Sequence, residues 1–204
     1  ELNRDLIERQ QLGRNDRDYR IMLSICKLLL QKQMPTDTYS QTGVRDLDRE
    51  SIVFYDLFEK FIANFYTYHL TDWEVQTQKH IAWHDSSNNE FLPVMKPDIF
   101  FREKQSNNVI FLDTKFTSQT IHNQWGGQVY QSGHLYQIYA YVKSQENYLT
   151  YHPKSSGILL YPSKRKNEPT RIIELPNHRM KIASIDLTLN WREIEKQLIS
   201  IINH

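Results

Sequence analysis

The stretch KPDIFFREKQSNNVIFLDTKF, residues 96–116, places charged residues at the ends of two apolar runs. The first run follows Asp98, and the second leads into Asp113 and Lys115. Short apolar runs bounded by turn residues predict strands, here over residues 93–102 and 108–116. The polar turn between them predicts an antiparallel hairpin with carboxylates near one end.

Asp113 and Lys115 are expected on one face of their strand, because side chains alternate along a strand. Pairing across the hairpin would bring Asp98 beside Asp113. Two crowded carboxylates favour a hard divalent cation such as Mg²⁺, with Mn²⁺ as a substitute. The ammonium of Lys115 would orient the attacking water or accept its proton, while the cation offsets charge on a phosphodiester oxygen. The alternative is a solvent-facing ion pair, worth about 0–1 kcal/mol.

Two predicted helices carry further polar candidates. Residues 51–69 form an apolar stripe at helical spacing, with Glu59 either on the polar flank or leaning into a site. The helix SGHLYQIYAYVKSQ carries Gln137 and Tyr141 on one face, with His134 one turn earlier. A helix facing the sheet would deliver all three to the site. The alternatives are a core role for Tyr141 and a structural role for His134.

The chain divides by pattern into an N-terminal segment and a larger domain. Residues 16–33 carry apolar side chains at steps of three and four and predict an amphipathic helix. We therefore expect residues 1–48 to form a helical segment that packs on the core or contacts a partner. Residues 49–204 are expected to form the domain that carries the site.

Alternating and apolar runs complete this domain. Residues 72–83 alternate and predict a half-exposed strand, with Gln78 among its polar set, that joins the hairpin as an antiparallel meander. The segment around Trp125 is predicted to be a polar loop. Later runs predict a buried central strand, two strands at a sheet edge and a closing helix capped by Asn190: residues 156–162, 170–175, 181–187 and 190–204.

Composition restricts the class of protein. The 204 residues are 39% hydrophobic and 24% charged, as in globular chains, and no apolar run approaches the roughly 20 residues of a bilayer crossing. The single cysteine, Cys26, favours a reducing compartment, so we expect a cytoplasmic protein without a membrane partner. A net charge of +1 gives no general attraction to nucleic acid.

Any binding of DNA phosphates must therefore come from a local cluster of basic residues. The densest is SKRKNEPTR, which contains Lys164, Arg165, Lys166 and Arg171. This cluster is either a solvated hairpin tip or a DNA contact, and the pattern favours neither.

Asp98 and the triplet Asp113-Thr114-Lys115 resemble the motifs of the PD-(D/E)XK nuclease superfamily. The segment QIYAY resembles the Gln-x-x-x-Tyr motif of its RecB-type branch. The order LFEKFI, KPDIFF, VIFLDTKF, HLYQIYAY and GILLYP is similar to that of the McrC family, the nuclease subunits of McrBC modification-dependent restriction systems. The resemblance covers about residues 50–162. It implies an α/β fold with an αβββαβ core, in which helices flank a mixed sheet.

The resemblance also implies roles for these side chains. Asp98 and Asp113 would ligate Mg²⁺, and the carbonyl of Thr114 would add a ligand. Lys115 would serve the attacking water, and Glu59 matches the superfamily's helix glutamate as a further metal residue. Gln137 and Tyr141 would complete the catalytic site.

The implied activity is metal-dependent cleavage of duplex DNA together with a partner. That partner is a McrB-like AAA+ ring that hydrolyses GTP, and this sequence has no Gly-x-x-x-x-Gly-Lys-Ser/Thr loop of its own. A homodimer is one way to cut both strands. Members of the family carry a further N-terminal region that engages the ring. Too few residues precede residue 16 to form it, so we expect a domain of a longer protein or a divergent short form.

Two other functions stay open at this point. A PD-(D/E)XK module that binds DNA or a partner without cutting would usually have lost an acidic residue or the lysine, and here all three are present. A RecB-type DNA-repair nuclease would commonly add cysteines for an iron–sulfur cluster, which one cysteine cannot build.

Overall fold

A computed structural model describes residues 49–83, 91–117, 121–124, 127–144, 155–163 and 169–203. The helix expected over residues 16–33, and the whole segment 1–48, lie outside the described residues. The helices in the described part are α1 (Arg49–His69), α2 (Ser132–Ser144) and α3 (Trp191–Asn203). The strands are β1 (Trp73–Thr77), β2 (Ile99–Glu103), β3 (Val109–Thr114), β4 (Ile121–Gln124), β5 (Gly127–Tyr130), β6 (Ser155–Ser163), β7 (Arg171–Leu175) and β8 (His178–Asp186).

Six strands form one mixed sheet in the order β1-β2-β3-β6-β8-β7. The first three are an antiparallel meander, as the sequence predicts. β6 then pairs parallel with both β3 and β8, and β7 closes the far edge as an antiparallel partner of β8. β6 is buried along almost its whole length, which confirms the central strand predicted from its continuous apolar run.

Helices cover both faces of this sheet. α1 and α3 pack on one face against alternate residues of the central strands, such as Ile110, Leu112 and Leu160. α2 packs on the opposite face, against the intervening residues, such as Phe111 and Leu159. None of the helices in the described part of the chain has both the length and the hydropathy required to cross a bilayer.

One polar contact joins α3 to α1, and another caps the start of α3. The buried Tyr66 hydroxyl of α1 donates to the Leu198 carbonyl over 2.9 Å, because a buried hydroxyl needs a partner. At the start of α3, the Asn190 side chain accepts from the Glu193 backbone N–H over 3.2 Å, which confirms the predicted cap.

The structure corrects several predicted strands. Residues 72–83 are not one strand, because β1 ends at Thr77 and Gln78 adopts a positive φ of 52°. β2 starts at Ile99 rather than residue 93, since the two prolines before it lack the N–H that a ladder requires. Met95 forms only an isolated bridge to Ile81.

Two further corrections concern topology. β8 is not at an edge, because its parallel pairing with β6 places it inside the sheet. The segment around Trp125 is not simply a loop. β4 and β5 flank it and form a separate two-stranded antiparallel ribbon. Their polar sequence carries little of the apolar alternation that predicts a core strand, which is why the pattern missed them.

Gly157 on β6 packs against α2. A Cβ at this position would lie 2.6 Å from Ile138 Cγ1 and 2.9 Å from Val142 Cγ2, both side chains of α2. Gly157→Ala is therefore expected to destabilise the protein by roughly 1–2 kcal/mol, as overpacking of a core does. Urea unfolding would measure this change.

Gly133→Ala is the matched control for this prediction. Gly133 lies in α2 itself, and a Cβ added there meets nothing within 4 Å. Its stability should be unchanged or raised by up to about 1 kcal/mol, since alanine favours a helix over glycine. Equal stability of the two variants would mean that the packing of α2 on β6 is looser than described.

The elements in chain order contain α1, the three-strand meander, α2 and β6, with the β4–β5 ribbon inserted before α2. This is the αβββαβ core in a mixed sheet flanked by helices. The described part of the chain therefore has a restriction-endonuclease-like fold, and β7, β8 and α3 extend it at one side.

Candidate active site

The predicted site lies where β2 begins and β3 ends. Ile99 pairs with Leu112 in the antiparallel ladder, so extending the register by one residue places Asp98 opposite Asp113. Beyond β3, the backbone N–H of Lys115 donates to the Leu160 carbonyl over 2.9 Å, which continues the contact with β6. The hairpin therefore brings the two aspartates together at one end of the sheet, as the sequence predicts.

A chain of polar contacts connects this sheet end with α2. The Lys115 ammonium forms an ion pair with Asp113 Oδ2 and donates to Gln137 Oε1 over 2.8 Å. Gln137 Nε2 then donates to the Tyr141 hydroxyl over 2.8 Å, and that hydroxyl donates to the Lys96 carbonyl over 3.3 Å. Gln137 and Tyr141 therefore face the sheet, and Gln137 holds the lysine in place.

Asp98 is held by the backbone and side chain of Thr114. Its Oδ2 accepts hydrogen bonds from the Thr114 N–H and from the Thr114 hydroxyl, each over 2.7 Å. Two donors on one oxygen fix the orientation of the carboxylate and leave its other oxygen, Oδ1, the freer of the two. The role predicted for the Thr114 carbonyl as a metal ligand stays a prediction.

Glu59 leans from α1 toward this site, one of the two placements open for it from the sequence. Its Oε1 accepts a hydrogen bond from Gln78 Nε2, and the same amide lies 3.4 Å from Asp98 Oδ1. Gln78 was not predicted as a site residue. The alternation of the preceding strand assigns it to the polar face, and only the positive φ at this position turns it to the two carboxylates.

The burial of Asp113 excludes the surface ion pair. Only 1% of this residue is exposed, and 17% of the Lys115 side chain is exposed. In the described part of the chain, the ion pair is the sole polar contact of Asp113 Oδ2, which has no hydrogen bond of regular geometry. Burial of a carboxylate is costly, and the ion pair with Lys115 offsets only part of that cost, as is common where a charged group is retained for function.

The electrostatics of the site follow from burial and crowding. Burial raises the pKa of Asp113 to about 7, the Lys115 ammonium opposes that rise, and the charges of Asp98 and Glu59 add to it. The pKa of Glu59 is also raised, first by burial and then by Asp98. Burial and the charge of Asp113 raise the pKa of Tyr141 to about 12, so its hydroxyl stays protonated at neutral pH. Acidic groups are thus crowded at this end of the sheet, and their ionisation is disfavoured there.

The donor set fits a divalent cation of the Mg²⁺ type. Within the described residues, no group of three or more His, Cys, Asp or Glu side chains could hold a metal ion by itself. Mg²⁺ does not require such a group, because it is commonly bound by one or two carboxylates with waters and substrate phosphates. Asp98 and Asp113 supply two carboxylates. The pKa of Asp113 is raised first by its burial and then by the charge of Asp98, and a bound cation would favour the ionised form against both.

Two further candidates from the sequence, His134 and Arg171, lie within the described residues. Nδ1 of the buried His134 lies 2.9 Å from the Tyr161 hydroxyl, the structural arrangement that the sequence left open. Arg171 is exposed on β7, three strands from β3 in the sheet order, and is not brought to the aspartates. The rest of the basic cluster, Lys164, Arg165 and Lys166, lies outside the described residues, so its role in DNA binding stays a prediction.

Comparison with known proteins identifies the family of this chain. The sequence model of a family described as "McrBC 5-methylcytosine restriction system component" matches residues 2–162. The chain is also 26% identical, over 204 aligned positions, to the "Type IV methyl-directed restriction enzyme EcoKMcrBC" of Escherichia coli (strain K12). That alignment covers 93% of this chain and 54% of the relative, so the chain spans about half the length of the relative. Since the family model matches well over half of the sequence, the chain belongs to the family of McrBC restriction system components.

Proposed function

We propose that this chain is a Mg²⁺-dependent DNA endonuclease component of a McrBC-type restriction system. It hydrolyses phosphodiester bonds of modified duplex DNA and acts together with a McrB-like AAA+ ring that hydrolyses GTP. The family supports a role in restriction. The observation that carries the cleavage chemistry is the convergence of Asp98, Asp113 and Lys115 at one end of the sheet.

The residues of the site have two proposed roles, which are to bind the cation and to orient the attacking water. Asp98 and Asp113 would hold the ion, with Asp98 already oriented by its two bonds from Thr114. When bound, the cation supplies electrostatic stabilisation of the charge that builds on the phosphate oxygens. This role accounts for the placement of the half-buried Asp98 beside the buried Asp113, which costs stability.

Lys115 has the geometry of a group that acts on water. Its ammonium is held from one side by Asp113 and from the other by Gln137, so its position is fixed before substrate arrives. A positioned ammonium can orient the attacking water by a hydrogen bond, and it favours negative charge on the oxygen that attacks. Gln137 in turn is held by Tyr141, which makes the helix α2 the support of the lysine.

DNA and the AAA+ ring are proposed as partners from the family alone. The described part of the chain supplies the cleavage chemistry, and reading of the modified base is assigned to the partner. Cutting both strands requires two sites or two events, so a homodimer belongs to the same proposal.

Metal dependence is the first test of this function. Plasmid DNA carrying 5-methylcytosine should be cleaved by the full chain, together with a McrB-like AAA+ protein and GTP, in Mg²⁺ or Mn²⁺. Protein treated with EDTA should not cut, and Ca²⁺ alone should not support cutting, because its larger and more flexible coordination shell does not reproduce the octahedral geometry of Mg²⁺. Cleavage is measured as conversion of supercoiled to nicked and linear DNA.

Reactions without the AAA+ protein, and reactions with unmethylated plasmid, serve as controls. Equal cutting by EDTA-treated and metal-loaded protein would refute the metal role. Binding of DNA without cutting under every metal condition would instead favour the module that binds without cleavage.

A further inference from the structure

Gln78 has a backbone conformation that its side chain does not favour. Its φ of 52° lies in the left-handed region, where residues other than glycine, asparagine and aspartate are uncommon. The conformation is held by the chain around it, because the Gln78 N–H donates to the Asp98 carbonyl over 2.9 Å. Strain of this kind persists where the surrounding structure imposes it, and it is frequent at functional sites.

The strain places an amide between two carboxylates. Gln78 Nε2 donates to Glu59 Oε1 on α1 and lies 3.4 Å from Asp98 Oδ1 at the start of β2. One NH₂ group has two protons to donate, so a single side chain can serve both anions. The hydrogen bond to Glu59 is the closer of the two, so Gln78 links the α1 carboxylate to the start of β2.

We propose that Gln78 is a positioning residue of the metal site: its amide fixes the Glu59 and Asp98 carboxylates side by side in the arrangement that receives a divalent cation. This inference rests on the proposed function. A neutral donor suits the position, because it holds two anions without cancelling their charge. A lysine or arginine there would satisfy the same oxygens but would compete electrostatically with the cation.

Binding of Mn²⁺ to the full chain, measured by isothermal titration calorimetry, tests the inference without relying on cleavage. Gln78→Asn keeps an amide and suits the positive φ, but it is one methylene too short to reach Glu59. Gln78→Gly removes the amide and relieves the strain. Both variants are expected to bind Mn²⁺ about tenfold or more weakly, as loss of residues that orient metal ligands typically does.

The thermal midpoint of the metal-free variants separates positioning from a structural role. Because both substitutions suit the left-handed backbone, neither should lower it by more than about 3 °C. The matched control is Gln76→Asn on β1, where the Gln76 side chain donates to Glu74 away from the aspartates. This control should bind Mn²⁺ as the unmodified protein does.

A second measurement asks whether Gln78 acts through Glu59. In a Glu59→Gln background, Gln78→Asn should weaken Mn²⁺ binding less than it does alone, because coupled residues are not additive. Unchanged Mn²⁺ affinity of both Gln78 variants would overturn the inference and leave the proposed function standing. Loss of cooperative unfolding in both would also overturn it, in favour of a structural role. Failure of the unmodified chain to bind Mn²⁺ would overturn both proposals.

Discussion

Lys115→Ala is expected to lower the rate of DNA cleavage by roughly a thousandfold, the scale on which a positioned proton-transfer or water-orienting group contributes. The ammonium is positioned for such a role, because it is held on two sides by Asp113 and Gln137. Alanine removes the only cation that contacts Asp113 in the described residues. The rate should be measured as single-turnover plasmid cleavage with excess enzyme, which separates chemistry from product release.

Lys104→Ala is the matched control for this prediction. Lys104 follows β2 at the opposite end of the same hairpin, and its ammonium donates to the Thr71 carbonyl over 2.7 Å in an exposed position. Its cleavage rate should be that of the unmodified protein. A Lys115→Ala variant that folds, binds DNA and cuts at an undiminished rate would remove lysine from the mechanism, while a lowered rate in the Lys104 variant would indicate a general loss of structure.

The sheet was largely predictable because its signals are local. Apolar runs, polar turns and the cap at Asn190 depend on neighbouring residues. Each helix and strand they predicted in the described part of the chain has a counterpart, although β1 and β2 begin or end inside the predicted bounds. The place of β8 was not predictable, since parallel pairing joins strands far apart in sequence and leaves no periodic signal of the neighbour. The β4–β5 ribbon was missed for a different reason, because its strands pair with one another rather than with the core.

The candidate site was predictable where strand geometry determines it. Alternation and hairpin pairing placed Asp98, Asp113 and Lys115 together, and helical spacing put Gln137 and Tyr141 on one face. Gln78 was not predictable, because a positive φ at a glutamine arises from the fold around it and not from its own preference. A site residue that is positioned by backbone strain, as Gln78 is, can therefore be identified only from a structure.

Asp113→Asn is expected to stabilise the metal-free protein by roughly 2–4 kcal/mol at pH 8, on the scale of about 1.4 kcal/mol for each unit of pKa shift. Burial raises the pKa of Asp113 from 3.8 to about 7, since the ionised form loses its water. Asparagine has nearly the same shape and carries no charge at any pH. Alanine would be a poorer choice, because Asp113 is buried and its truncation would leave a cavity.

The expected pH dependence follows from the direction of that shift. Below pH of about 4 the carboxyl is protonated in both the folded and the unfolded state, so the variant has no advantage. Between pH of about 4 and 7 the unfolded chain ionises first, and the stability of the unmodified protein falls as pH rises. The advantage of the variant should therefore grow through this interval and level off above pH of about 7. Urea unfolding at several pH values in EDTA would measure it.

With Mn²⁺ present, the unmodified protein should become more stable than Asp113→Asn. Such a reversal would show that the destabilising charge of Asp113 is needed to bind the cation. At pH 8 the cation binds the folded unmodified protein, whose thermal midpoint should rise with metal concentration, as expected for a ligand that binds only the native state. The asparagine side chain of the variant offers a neutral oxygen, so the midpoint of Asp113→Asn should barely respond. A variant that is more stable without metal but unresponsive to it would show that the buried charge is retained for the cation. Equal stability of the two proteins in EDTA at every pH would show instead that Asp113 is well solvated in solution.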